Sequence, residues 1–120
     1  MSEITPIIKV WCLDITDETE LHSLHNAIVD AVIAIPELGV KSESDMISLY
    51  PPDLMRYGLG EAVIVEAFLF CKKQRPTDDV IDRLAKDLAQ VIMKHCPKVQ
   101  KTECFVNDTN SKRGVWIEKR

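Results

Sequence analysis

The sequence predicts an α/β (α+β) domain: two tandem β-α-β units, giving a four-stranded sheet with two helices on one face and a short C-terminal strand. Three observations predict it. Short β-branched runs alternate with longer segments whose apolar residues recur every three to four positions, the periods of strand and helix. The two halves repeat one plan, each about 45 residues from strand to strand. The run "AVIVEAFLFC" (residues 62–71) is mostly apolar in both of its alternating sets, as in a strand covered on both faces.

The chain has 120 residues, enough for a single domain, 1–120, with its own core. Ile7 to Leu13 reads as the first strand, with Pro6 at its head, where a missing N–H disturbs no ladder. Thr16 and Asp17 offer helix-capping oxygens, with Glu20 placed for a capping box. Leu21, Leu24, Ile28, Val32 and Ile35 then form an apolar stripe, and Pro36 and Gly39 stop the helix. Met46 to Tyr50 is a second strand. "PPDLMRYGLG" (51–60) is a loop, rich in proline and glycine.

The second unit follows the same order. Ala62 to Cys71 is a strand, and Pro76 and Thr77 open a helix whose first turn carries Asp78 and Asp79, favourable to its dipole. Ile81, Leu84, Leu88 and Val91 or Ile92 form its buried stripe; Lys94 and His95 suit its last turn, and Pro97 ends it. Thr102 to Val106 is the fourth strand, "NDTNSKRG" (107–114) a turn and "VWIEK" (115–119) a short terminal strand. A strand-helix-strand unit with a short return favours parallel strands. Two amphipathic helices cover one sheet face only, so the other is expected to meet another copy of the chain. Glu66, inside the longest apolar run, is either an edge or interface carboxylate with a partner or a pocket carboxylate held protonated by burial.

Composition excludes several functions. The formal net charge of −4 argues against nucleic acid or a membrane surface as partner, and no apolar run is long enough to span a bilayer. "MSEITP" lacks the basic and apolar regions of a secretory signal, so a cytoplasmic protein is expected. Cys12, Cys71, Cys96 and Cys104 show no C-x-x-C spacing, which favours reduced thiols over a zinc site. Glu18, His22 and His25 share a flank of the first helix, too sparse a set for a metal. No phosphate-binding or dinucleotide motif is present, and no cofactor or metal is implied.

Four local patterns, in order, resemble the tautomerase superfamily, in particular its branch of macrophage migration inhibitory factor. "PIIKV" resembles that family's proline-headed first strand. "VKSESDMISLY" resembles its second strand, with Lys41 ahead of it. "PPDLMRYG" is similar to its P-D-x-L-M-x-x-G loop, and "NDTNSKRGVW" to its turn before the last strand. The resemblance spans nearly the whole chain. It implies a trimer of β-α-β repeats and a keto–enol isomerase of a small carboxylated substrate. Its N-terminal proline, Pro6 here, would be the general acid/base, with Lys41 beside the anion. A secondary amine in a partly apolar pocket titrates near neutrality, where a base moves a carbon-bound proton well, and a cation stabilises the enolate.

The chain departs from that pattern in two places. Pro6 follows five residues, so its nitrogen is a tertiary amide with a delocalised lone pair and is no base. Only cleavage between Thr5 and Pro6 would restore the amine. On the fourth strand, the family's pocket-side tyrosine and asparagine correspond, by that resemblance, to Glu103 and Phe105, which makes Phe105 a substrate-binding residue. Glu103 is therefore either a substitute base or a solvated strand carboxylate. "CKKQR" puts Lys72, Lys73 and Arg75 after the long strand, at a helix N-terminus suited to anions, where the resemblance places the pocket mouth. Two functions follow: a tautomerase-type isomerase, or a non-catalytic oligomeric binding or scaffold protein of the same fold whose N-terminal residues cover the pocket.

Overall fold

The computed structural model describes residues 4–13, 15, 17–51, 62–72 and 74–110. Its elements are β1 (Ile4–Trp11), α1 (Glu18–Ile33), β2 (Ile47–Leu49), β3 (Ala62–Cys71), α2 (Asp78–His95) and β4 (Lys101–Asn110). Two short 3-10 turns, Pro36–Leu38 and Glu43–Asp45, lead into β2. The strands form one sheet in the order β2-β1-β3-β4. β1 is parallel to β2, β3 is parallel to β4, and the central pair β1 and β3 is antiparallel. Two parallel β-α-β units thus meet head to tail at the middle of the sheet.

Alternation along the strands separates two faces. Ile4, Pro6, Ile8 and Val10 of β1 are buried, as are Val63, Val65, Ala67, Leu69 and Cys71 of β3. The register pairs Ile8 with Ala67 and Val10 with Val65, so these residues form one continuous apolar floor. Leu24, Ile28, Val29 and Val32 of α1 and Val80, Leu84, Leu88 and Ile92 of α2 pack onto it.

α1 starts where expected: the Asp17 side chain accepts from the Thr19 N–H at 2.8 Å, with Glu18 and Glu20 in the first turn. Its stripe differs from the sequence expectation at both ends. Leu21 is only half-buried and Val29, a flanking position, is buried instead. Ile35 is fully buried but lies beyond the helix, because Pro36 forces the residue before it into an extended conformation. Gly39 then takes the left-handed conformation, φ 69°, that closes the turn. In α2 the buried stripe runs through Val80 and Ile92, whereas Ile81 and Val91 are half-buried.

Three strands also differ in where they begin or end. β1 begins at Ile4 rather than Ile7, and it ends at Trp11 rather than Leu13 because Cys12 turns to φ 65°. Pro6 is tolerated inside the strand because β2 pairs only with Ile7, Ile8 and Lys9, leaving no described ladder partner beside the proline on that side. β2 is shorter than Met46 to Tyr50. β4 extends through Asn110, so residues 107–110 are strand rather than turn; the ten-residue β3 provides partners for all of them. The loop 52–60 and the terminal strand expected at 115–119 lie outside the described residues.

Candidate functional site

A cleft of about 670 Å3 opens at the end of the sheet where β1 begins and β3 gives way to α2. Ile4 of β1, Leu38, Gly39 and Lys41 from the turn after α1, and Arg75, Pro76 and Thr77 ahead of α2 line it, with Glu37 and Asp45. Topology explains this meeting. The start of β1 lies beside the end of its antiparallel neighbour β3, and Ile4 pairs with Cys71.

Hydrogen bonds position Lys41, Asp45 and Arg75. The Lys41 backbone N–H donates to Asp45 Oδ2 at 3.0 Å, fixing the turn while the exposed lysine stays at the cleft. Arg75 donates from Nε to Asp108 Oδ2 at 2.6 Å and from Nη2 to Asp78 Oδ1 at 3.4 Å. The hydrogen bond and charge of Asp108 raise the Arg75 pKa still further, so the guanidinium is a fixed cation. The first turn of α2 adds its N-terminal dipole, and Thr77 makes no side-chain cap. Burial, followed by the charge of Asp108, raises the pKa of the nearby Cys71 thiol, which stays neutral.

Pro6 is buried and pairs with Leu69, and the strand continues ahead of it through Thr5, opposite Phe70, and Ile4. Its nitrogen is an amide inside a paired strand. Ile4, only 8% exposed, stands two residues earlier on the same face and reaches the cleft that Pro6 does not line.

No protein-family model matches the sequence, and no curated protein does. Solved structures do. A fused 4-OT, wild type, solved as an asymmetric trimer, superposes with a TM-score of 0.69 at 16% identity, over 88% of this chain and 87% of that one. Macrophage migration inhibitory factor of Toxoplasma gondii gives 0.64 at 16% identity, over 96% and 97% of the two chains. A 5-carboxymethyl-2-hydroxymuconate isomerase from Deinococcus radiodurans R1 gives 0.58 at 15% identity, over 99% and 91%. The fold is that of the tautomerase superfamily.

On this tautomerase fold, the residues singled out in the sequence are not all neighbours. Lys41 lines the cleft; Lys72 is exposed one residue after β3 and does not line it. Glu103 pairs in register with Ile64, near the opposite end of β3. Seven residues separate Ile64 from Cys71, about 23 Å at ~3.3 Å per residue. Within one protomer Glu103 therefore lies far from the cleft, and its carboxylate meets Lys101 Nζ at 2.6 Å. Phe105, 52% exposed, lies on the same strand face.

That face is apolar. Ile47, Leu49, Trp11, Phe68 and Phe105 are all exposed on it, in strands whose other face carries the core. Glu66 lies among them and accepts a hydrogen bond from the Trp11 indole N–H. It is a partnered carboxylate on the open face, as in the first of its two readings. No helix among the described residues is long and apolar enough to cross a membrane.

Glu18, His22 and His25 do share a flank of α1. They line a second cleft, about 360 Å3, with Leu21, Ser48 and Tyr50. No cluster of metal-holding geometry occurs among the described residues. His25 is engaged otherwise: its Nδ1 lies 2.8 Å from Ser48 Oγ and 3.1 Å from Tyr50 OH, and its Nε2 lies 3.3 Å from Glu43 Oε2. Burial raises the Tyr50 pKa, opposed by its hydrogen bond with Ser48, so the phenol keeps its proton. Glu43, Ser48 and Tyr50 come from one stretch, the second 3-10 turn and β2 with the residue after it, whereas His25 comes from α1, and no spacing in the sequence announces their meeting.

Proposed function

We propose that this is an oligomeric tautomerase-fold protein whose cleft binds a small carboxylated molecule without proline-dependent proton transfer. One observation carries the reading: the Pro6 nitrogen is an amide within β1, with Ile4 and Thr5 paired ahead of it. Such a nitrogen offers no lone pair and no proton. The cleft retains what holds an anion: Lys41, Arg75 and the start of α2. Asp108 and Asp78 fix the Arg75 guanidinium in place, and Lys41 supplies a more adaptable charge. Lys72 stands outside the lining and adds long-range attraction only.

The exposed apolar face supports assembly with further copies, and a trimer is the form proposed, since a neighbour of like fold is an asymmetric trimer. Cys71 and Cys96, buried and not joined in a disulfide, fit a reducing, cytoplasmic compartment.

A second reading is a keto–enol isomerase of a carboxylated substrate. It is favoured by neighbours of the same fold that are named as an isomerase and as malonate semialdehyde decarboxylase. It requires either cleavage between Thr5 and Pro6 or Glu103 as the base. Because Glu103 and Phe105 lie on the open face, they would join a site only at a boundary between copies.

A phenylpyruvate-like acid separates the two. Binding followed by NMR or calorimetry, with enol-to-keto conversion no faster than in buffer, supports the first reading. Lys41→Ala should then weaken binding about tenfold, ~1.4 kcal/mol. Turnover by a chain with an intact N-terminus would overturn it.

A further inference from the structure

We propose that Ser48, His25 and Glu43, with Tyr50, form a nucleophilic site that cleaves small, uncharged carboxylic esters in the cleft between α1 and β2. The geometry is that of a nucleophile, a base and an orienting carboxylate. The Glu43 carboxylate only accepts, so at 3.3 Å it favours the tautomer with the proton on His25 Nε2. That leaves Nδ1 as the acceptor, 2.8 Å from Ser48 Oγ, within the range for removing a hydroxyl proton. His25 is 22% exposed in its side chain, held between α1 and the edge strand, and Ser48 is half-buried beside it. Tyr50 OH lies 3.1 Å from the same Nδ1. Once Nδ1 gains the serine proton it no longer accepts, and the Tyr50 O–H becomes available to the oxygen that develops charge.

The step balances without a further reagent. Ser48 Oγ adds to the ester carbonyl as its proton passes to His25 Nδ1. The tetrahedral adduct collapses, its C–O bond to the alcohol breaks, and the alcohol leaves with that proton. Water then adds to the acyl-serine with His25 as base, and the acid departs as Ser48 regains its proton. The cleft has room for a small ester. Leu21 offers an apolar contact, while Glu18 beside it and Glu43 behind His25 repel an anionic acyl group. This ligand class differs from that proposed for the cleft at Lys41.

The test is covalent labelling of the whole protein with a fluorophosphonate, read by intact mass and peptide mapping, together with p-nitrophenyl acetate hydrolysis. A single adduct on Ser48 is expected, with ester hydrolysis above buffer. His25→Gln should slow labelling at least tenfold, and Ser48→Ala should abolish both labelling and hydrolysis while keeping the circular dichroism spectrum. Tyr50→Phe should slow hydrolysis more than it slows labelling. No adduct on Ser48 of the unmodified protein would overturn the proposal whether or not the variants fold, as would a labelling rate unchanged by His25→Gln. In either of those outcomes the cluster only ties α1 to β2.

Discussion

Replacing Phe68 by aspartate should dissociate the assembly while leaving the protomer folded. Phe68 stands on the open sheet face, between Ile7 and Asn107 in register and 5.3 Å from Phe70 between ring centroids. It is 38% exposed. For a side chain of about 200 Å2, that leaves roughly 75 Å2 for a partner to cover. At ~25 cal/mol per Å2 this contributes about 2 kcal/mol per copy, or about 6 kcal/mol over three copies. A carboxylate at the same place adds a desolvation cost of several kcal/mol on burial. Each 1.4 kcal/mol is about tenfold in an equilibrium constant, so dissociation should rise by at least four orders of magnitude. The helical core lies on the other face of β3, so the protomer should keep its secondary structure. Size-exclusion chromatography with light scattering reads the outcome directly. The unmodified chain should appear at three times 13.6 kDa and Phe68→Asp at the single-chain mass. A monomeric unmodified chain, or an undiminished oligomer in the variant, would refute the reasoning.

Other expectations follow from individual residues. Leu84 is fully buried against the sheet, so Leu84→Ala should cost about 2–5 kcal/mol in chemical denaturation, through lost transfer energy and a residual cavity. Asp17→Ala should cost about 1 kcal/mol by removing the bond to the Thr19 N–H, a change readable in the same denaturation curves. Burial pushes the Cys104 thiol up to about 11 from its ordinary 9.0. Between those values the unfolded chain loses this proton and the folded chain keeps it, so stability should fall as pH rises from about 9 to about 11. Cys104→Val should flatten that part of a Tm-against-pH profile, and an equal slope in the variant would contradict it. Asp108→Asn removes the charge paired with a guanidinium that is 61% exposed, so stability should change little, whereas anion binding in the cleft should tighten because a negative charge beside Arg75 is lost.

The fold was legible because its signals are local and agree with one another. Asp17, Pro36, Pro76 and Pro97 mark the helix ends, and the double-sided apolar run at 62–71 is a strand at the centre of the sheet. Boundaries set by distant partners were not legible. β4 is prolonged by pairing with β3, and β1 is cut short at Cys12 by a backbone turn with no composition signal. Burial was ambiguous at Ile35 and Leu21 because periodicity gives the face of a helix and not where the neighbouring sheet stops. The site divides in the same way. Lys41 reaches the cleft, and the five residues ahead of Pro6 marked its nitrogen as an amide. The separation of Glu103 and Phe105 from that cleft depends on strand register, and the gathering of Ser48, Tyr50 and Glu43 around His25 depends on tertiary structure alone.

The state of the Pro6 nitrogen decides between a binding cleft and a proton-transfer site. Intact-mass spectrometry of the protein isolated from its own cell reads that state directly. A mass that includes the residues ahead of Pro6, with β1 starting at Ile4, is the predicted result. A mature chain whose first residue is Pro6 would contradict it and return a secondary amine to the head of the strand.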